Sequence, residues 1–384
     1  MFRDFFWPRD CSYIYRNNTR NLSLTAKKNI SALTEVNGVD QPEAVSSSAA
    51  RNLVSKRQRS VSAQDLINGI FDGNITALSR AITLVESTNP EHQQKASEVI
   101  SACLPKANNS VRIGITGVPG VGKSTFIEAF GKYLTGIGKK VAVLAVDPSS
   151  SLSHGSILGD KTRMEELVKD KNAFIRPSAS GETLGGVARK TRETITLCEA
   201  FGFDTIIIET VGVGQSETAV HGMTDFFLLL QIAGAGDELQ GIKRGIMEMA
   251  DAIVINKADG DNIKKAKLAK TEFGRALHYF PQKSSGWMPT ALTCSAITKD
   301  GIPEIWEIVS AYLTLTKENG YFEKRRSEQN LEWMHEAINE QLKLNFYNDG
   351  KVASTIDNTR KNVMEHRLSP FSAAQELLKL FLGK

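Results

Sequence analysis

Cysteine is scarce. Cys11, Cys103, Cys198 and Cys294 are the only four in 384 residues, and no two form a C-x-x-C pair. That spacing excludes a disulfide framework or a zinc ribbon and favours a reducing compartment. Long apolar runs are also missing. "TIIIETVGV" and "FFLLLQIAGA" fall well short of the ~18 residues a membrane helix needs, and read as buried strands. A basic body is absent too. Residues 1–34 hold Arg3, Arg9, Arg16, Arg20, Lys27 and Lys28 against Asp4 and Asp10, which accounts for the whole net charge of +4. A neutral remainder argues against a nucleic-acid binder. There is no internal repeat. Hydrophobic residues at 41% and charged ones at 23% fit a soluble globular protein with a sizeable core.

What is present divides the chain into five parts. Residues 1–34 are basic, rich in Asn and hydroxyls and poor in acids. That suits a mitochondrial transit peptide, with an untidy tail in a cytoplasmic protein as the alternative. Residues 35–60 are small and polar and read as a linker. Residues 61–109 have helical apolar spacing, with Ser62 and Asp65 placed as a capping box. Residues 110–315 alternate strand and helix. "VRIGIT", "KVAVLAV", "AFIRPS", "DTIIIE", "DFFLLLQ", "AIVIN" and "TALTCSA" are continuous apolar runs, the mark of an α/β fold whose largely parallel sheet is covered on both faces. Residues 316–384 are helical again, with an apolar stripe at Leu331, Met334, Ile338 and Leu342.

The chemistry starts at "GITGVPGVGKST". Gly117, Gly122, Lys123 and Ser124 spell G-x-x-x-x-G-K-[ST] between a strand and a helix. Backbone N–H groups of such a loop wrap phosphate oxygens. Lys123 is expected to reach the β- and γ-phosphates and Ser124 to ligate Mg²⁺. The base is named further on, by Asn256, Lys257 and Asp259 at the end of "AIVIN". The Asp259 carboxylate can accept from guanine N1–H and the N2 amine together; adenine offers no such pair. Asn256 would tie loops together or meet the ring edge, and the Lys257 stem would lie over the base. "TCSAITKDG" then supplies Ser295 and Ala296, a short element whose backbone meets the guanine oxygen. The substrate expected is GTP, not ATP.

Acids follow the second and fourth strands. Asp147 sits at the carboxyl edge, where ligands collect in such sheets. Asp160 and Arg163 lie in the loop after it and could reach metal or phosphates, or simply form a charged surface loop. "ETVGVGQSE" puts Glu209 at a strand end and Val213 where many small GTPases carry a water-orienting Gln.

Together "GVPGVGKSTFIE", "AVDPSSSLSHGSILGDKTRM", "SASGETLGGVA", "ETVGVGQSE", "QIAGAGDELQGIKRGIMEMAD" and "NKAD" resemble the MeaB/ArgK family, whose eukaryotic branch is MMAA, in the SIMIBI class of P-loop GTPases. The resemblance runs from about residue 62 to the end. It implies a GTP-dependent chaperone for adenosylcobalamin-dependent methylmalonyl-CoA mutase, one that gates cofactor loading and protects the mutase. It implies phosphate contacts from Gly117, Val118, Pro119, Gly120, Val121, Gly122, Lys123, Ser124 and Thr125. Guanine contacts are implied for Asp259, Ser295, Ala296 and Ile297, and magnesium-side roles for Ser124, Asp147, Asp160 and Glu209. Lys123, Glu209, Asp147 and Arg163 are the expected catalytic set. It further implies a helical arm forming a homodimer, and a third switch at Gly234, Gly236, Asp237, Glu238, Gly241 and Lys243.

Glu209 is one methylene longer than an Asp and would reach the magnesium shell through a water. Val213 leaves the attacking water poorly aimed, with Gln215 as a weak substitute, so hydrolysis should be slow until a partner orders the loop. None of the six histidines has an Asp two residues before it, so the D-x-H-x-x-G cobalamin motif is missing. Cobalamin is expected on the client. The alternatives are a nickel-inserting GTPase, for which Cys and His are too dispersed, and an ATPase of amino-acid transport, against which Asp259 argues.

Overall fold

The computed structural model describes residues 61–146, 164–177, 184–210, 216–234 and 244–383. The expected transit segment and linker lie outside them. Three helices lead in: α1 (Ala63–Phe71), α2 (Ile75–Glu86) and α3 (Pro90–Cys103). Ser62 Oγ accepts from the Asp65 N–H at 3.1 Å and the Asp65 carboxylate accepts from the Ser62 N–H at 3.2 Å, closing the capping box that the spacing predicts. Asn74 and Asn89 cap the next two. Leu66, Ile70, Leu78, Ile82 and Val99 recur at helical spacing and are fully buried, each stabilising by about 1.5–3 kcal/mol relative to exposure.

Seven strands follow: β1 (Val111–Gly117), β2 (Val141–Val146), β3 (Ala173–Arg176), β4 (Thr205–Thr210), β5 (Phe226–Ile232), β6 (Ala252–Asn256) and β7 (Thr290–Thr293). They form one sheet in the order β3-β2-β4-β1-β5-β6-β7, with every pair parallel. Parallel neighbours require crossovers. These carry α4 (Lys123–Gly136), α5 (Glu165–Val168), α6 (Leu184–Phe201), α7 (Ser216–His221), α8 (Arg244–Met249) and α9 (Ile263–Leu277), and α10 (Ile302–Glu318) follows the last strand.

Strand alternation decides what each face meets. Ile113, Ile115, Ile207, Leu228 and Val254 pack with Phe126 and Phe130 of α4 and Ile305 and Val309 of α10. On the other face Leu144, Ile206, Ile208 and Phe227 meet α1–α3 and α6, while Leu229, Ile253 and Ile255 meet Phe273 of α9. Period two therefore places Glu209 on the α4 face, with Ile207, and Thr210 on the opposite one. Thr210 Oγ1 donates to Thr116 Oγ1 at 2.8 Å there.

The chain ends in α11 (Tyr321–Asn348), α12 (Gly350–Met364) and α13 (Pro370–Leu382). The boundary expected at 315/316 falls inside α10, because Leu313 and Thr316 still belong to the buried body. The root of α11 is fastened to that body as well. Arg326 pairs with Asp225 through Nε at 2.5 Å and Nη2 at 2.7 Å, and Nη2 donates to the Ser110 carbonyl at 2.9 Å. Beside it Arg112 donates to Glu199 at 3.0 and 3.1 Å. Burial pushes the Glu199 carboxyl up, but Arg112 and the bonds from Ser110 and Asn108 outweigh it and hold it below its ordinary value. Removing one member of such a buried pair costs about 3–5 kcal/mol, so the first turns of α11 count as part of the body. Further along, Arg192 pairs with Glu336. The stripe Leu331, Met334, Ile338 and Leu342 is 57, 48, 48 and 55% exposed and is covered by nothing described.

Candidate nucleotide-binding site

β1 ends in a loop that only glycine permits at two points. A Cβ on Gly117 would lie 2.5 Å from the Leu230 carbonyl oxygen. Gly122, the residue before α4, has φ 88°, and a Cβ there would stand 3.2 Å from Asn256 Nδ2. The turn brings Lys123 to the first position of α4. Its ammonium reaches back over the loop and donates to the Gly117 carbonyl at 2.8 Å. Burial pushes Lys123 below its ordinary value, opposed by the carboxylates of Glu209 and Glu217. Ser124 is half-buried at the mouth, and Pro119, Gly120 and Thr125 are exposed. Val118 packs on the core beneath them, and Val121 is fully buried.

The second half comes from the ends of β6 and β7. Asn256 is 1% exposed and joins three segments. Its Nδ2 donates to the Val121 carbonyl at 2.9 Å, and its Oδ1 accepts from the Ala296 N–H at 3.2 Å. Of the two roles open to it, this is the tie between loops. Lys257 adopts φ 58°, strained for a residue with a side chain. That turn sends its ammonium to the Gly120 carbonyl at 2.8 Å and lays its stem along the loop. Asp259 Oδ2 accepts from Ser295 Oγ at 2.5 Å, and Ser295 Oγ accepts from the Thr298 N–H at 3.1 Å. The Asp259 carboxylate is thereby fixed in orientation, half-buried, beside the Ala296 backbone and the exposed Ile297.

Thus Gly117–Thr125, Asn256, Lys257, Asp259 and Ser295–Ile297 come together at the carboxyl edge of the sheet, with the buried Glu209 at the end of β4. Asp147, Asp160, Arg163, Val213, Gln215 and Lys243 lie outside the described residues, as do Gly236, Asp237, Glu238 and Gly241. The described part of the expected magnesium set, the Ser124 hydroxyl and the Glu209 carboxylate, consists of hard oxygen donors. These suit Mg²⁺ arriving on substrate phosphates. Sequence reasoning missed Glu217. It is buried in the first turn of α7, and its only signal was an unassigned acid at the end of "ETVGVGQSE".

Comparison with known proteins adds an independent line. The family model described as "Methylmalonyl Co-A mutase-associated GTPase MeaB" matches residues 78–351. An Escherichia coli protein named GTPase ArgK is 46% identical over 311 residues, covering 81% of this chain and 94% of the relative. A mouse protein named methylmalonic aciduria type A homolog, mitochondrial, is 44% identical over 342 residues, covering 86% and 82%. The crystal structure of a LAO/AO transport system kinase superposes with a TM-score of 0.66 at 39% identity, covering 84% of this chain and 98% of that one.

Proposed function

This chain belongs to the MeaB family of methylmalonyl Co-A mutase-associated GTPases, and on that footing we propose that it is a slow, partner-stimulated GTP switch. Its client is an adenosylcobalamin-dependent methylmalonyl-CoA mutase, whose cofactor loading it gates and which it protects. The observation that carries the reading is the joining of two loops. Asn256 and Lys257 tie the guanine-reading segment to the phosphate loop by hydrogen bonds to Val121 and Gly120. A nucleotide spanning both is read for its base and its phosphates by one connected unit.

In this mechanism the N–H groups of the loop hold the β-phosphate, and Lys123 leaves the Gly117 carbonyl to offset charge on the γ-phosphate. Asp259 accepts the paired guanine donors. Ser124 and Glu209, with Asp147 and Asp160, would hold magnesium, which would neutralise phosphate charge. Arg163 acts from the loop beyond. Val213 gives the attacking water no hydrogen-bond partner, so basal turnover is slow, and docking on the mutase supplies the missing order. GTP turnover with and without mutase tests this.

The protein works as a homodimer through its exposed arm. Four apolar side chains at three- and four-residue steps, about half exposed each, are a face that water does not favour. Ile338→Glu with Leu342→Glu puts charge on that face without touching the Arg326 root. Light scattering should then give the monomer mass with GTP binding kept; a wild type that is already monomeric at micromolar concentration removes the dimer. Residues 1–34 send the protein to the mitochondrial matrix. A reporter carrying them should enter mitochondria, and a diffuse cytosolic signal would favour the cytoplasmic alternative.

A further inference from the structure

We propose that a cleft at the amino edge of the sheet binds a small organic anion, whose carboxylate or phosphate is received by the Arg325 guanidinium and the Tyr312 hydroxyl. The cleft holds about 400 Å³, within the roughly 300–1,000 Å³ of small-molecule sites. Asp225 and Asp251 line it and stand just before β5 and β6. The phosphate loop leaves the other end of β1. In a parallel sheet the length of β5, Phe226–Ile232, sets these two edges about 20 Å apart. The cleft is therefore no part of the nucleotide site.

Its walls are pinned by the protein's own bonds. Lys283 Nζ donates to Asp251 Oδ1 at 2.6 Å and to the Met249 carbonyl at 2.8 Å. Trp287 Nε1 donates to the Asp251 carbonyl at 2.9 Å, and Asn319 Nδ2 to the Ser285 carbonyl at 2.9 Å. The end of α7, the end of α8, the middle of α10 and the first turns of α11 each place a residue on the cleft. A ligand would meet a preformed site and spend little on ordering it.

The charges left over decide the ligand. The acids and bases on the cleft are Asp225, Glu248, Asp251, Lys283 and Arg325. Asp225 is taken by Arg326 at 2.5 and 2.7 Å and by the Arg112 N–H at 2.8 Å. Asp251 is taken by Lys283 and by the Phe227 N–H at 2.9 Å. Glu248 is exposed, where water screens it. Arg325 is half-buried and pairs with no carboxylate among the described residues; its one contact is a long one, 3.5 Å to the His221 carbonyl. Such a planar fork matches the paired oxygens of a carboxylate or phosphate. Burial, with Arg325 and Lys283 close by, pushes the His221 imidazole down to about 4, so it stays neutral. Tyr312 is the second donor. It is 4% exposed, and its ring is held edge-on by Phe226 at 5.2 Å and Trp287 at 5.5 Å, neither of which lines the cleft. The hydroxyl is thus the end that the cleft receives, and it meets no partner among the described residues. A hydroxyl left idle at that depth is costly. Burial and then Asp251 push its ionisation up, so it remains a donor. A guanidinium and a hydroxyl without acceptors call for an anion.

The cleft does not depend on the nucleotide reading, and its test keeps the two apart. The full chain is titrated by calorimetry with glutarate and with glycerol phosphate, in excess GDP and magnesium so that the phosphate loop offers no second anion site. At least one of the two should bind with a Kd below about 1 mM, and which one binds names the head group. Glutaramide has the length of glutarate without its charge and should not bind. Arg325→Gln should weaken binding about tenfold or more. Tyr312→Phe keeps the ring and its packing and should weaken binding about threefold or more at an unchanged melting temperature. Two silent titrations, glutaramide bound as well as glutarate, or full affinity in either variant would overturn the proposal. So would an anion that GDP competes away, which belongs on the phosphate loop. Failure of GDP itself to bind would bear on the nucleotide reading alone, and the two variants would still locate the anion.

Discussion

Lys123→Ala is expected to lower GTP turnover at least ~10³-fold, a loss of about 4 kcal/mol of transition-state stabilisation. In the proposed mechanism the ammonium is the charge that meets the γ-phosphate, and its partner in the structure, the Gly117 carbonyl, lies on the loop itself. The loop's shape does not depend on that contact alone. Gly117 and Gly122 fix its ends and Asn256 braces its middle, so the variant should melt like wild type. Single-turnover hydrolysis on purified protein separates the two effects. A folded variant turning over within threefold of wild type would remove Gly117–Thr125 as the phosphate site. Turnover lost together with the fold would mean the lysine is a structural tie.

Much of this was legible from sequence because the signals are local. All seven strands announce themselves as apolar runs, since a parallel sheet covered on both faces needs no polar alternation. The capping box at Ser62 and Asp65 and the G-x-x-x-x-G-K-[ST] loop each need only a few adjacent residues. The strand ends are less sharp. "TALTCSA" reads as one run, yet β7 stops at Thr293, because from Cys294 the backbone turns to bring Ser295 and Ala296 to Asp259 and Asn256.

What was hidden depends on residues far apart in the chain. Arg326 meets Asp225 across about a hundred residues, and no periodicity marks either. The arm's root therefore looked like the start of a separate segment, whereas its first turns are locked into the body. Glu217 was passed over for a similar reason. An acid in the first turn of a short helix is ordinary in sequence. Only the fold shows it buried, in a short helix whose Val220 packs on Gly114. Asn256 read equally well as a base contact or as a tie, and its two hydrogen bonds favour the tie.

The second large effect concerns the proposed client. With Val213 in place of a water-orienting side chain, a docked mutase is expected to raise GTP turnover about 10²-fold, or about 2.7 kcal/mol, which lies within what ordering of loops can supply. The direct measurement is the GTP turnover rate of the full-length wild type, alone and with saturating adenosylcobalamin-dependent methylmalonyl-CoA mutase, with ATP as the control nucleotide. The account predicts slow basal GTP hydrolysis, stimulation on the order of 10²-fold by the mutase, and no comparable turnover of ATP. GTP turnover that the mutase leaves unchanged, or ATP turned over as readily as GTP, would contradict it.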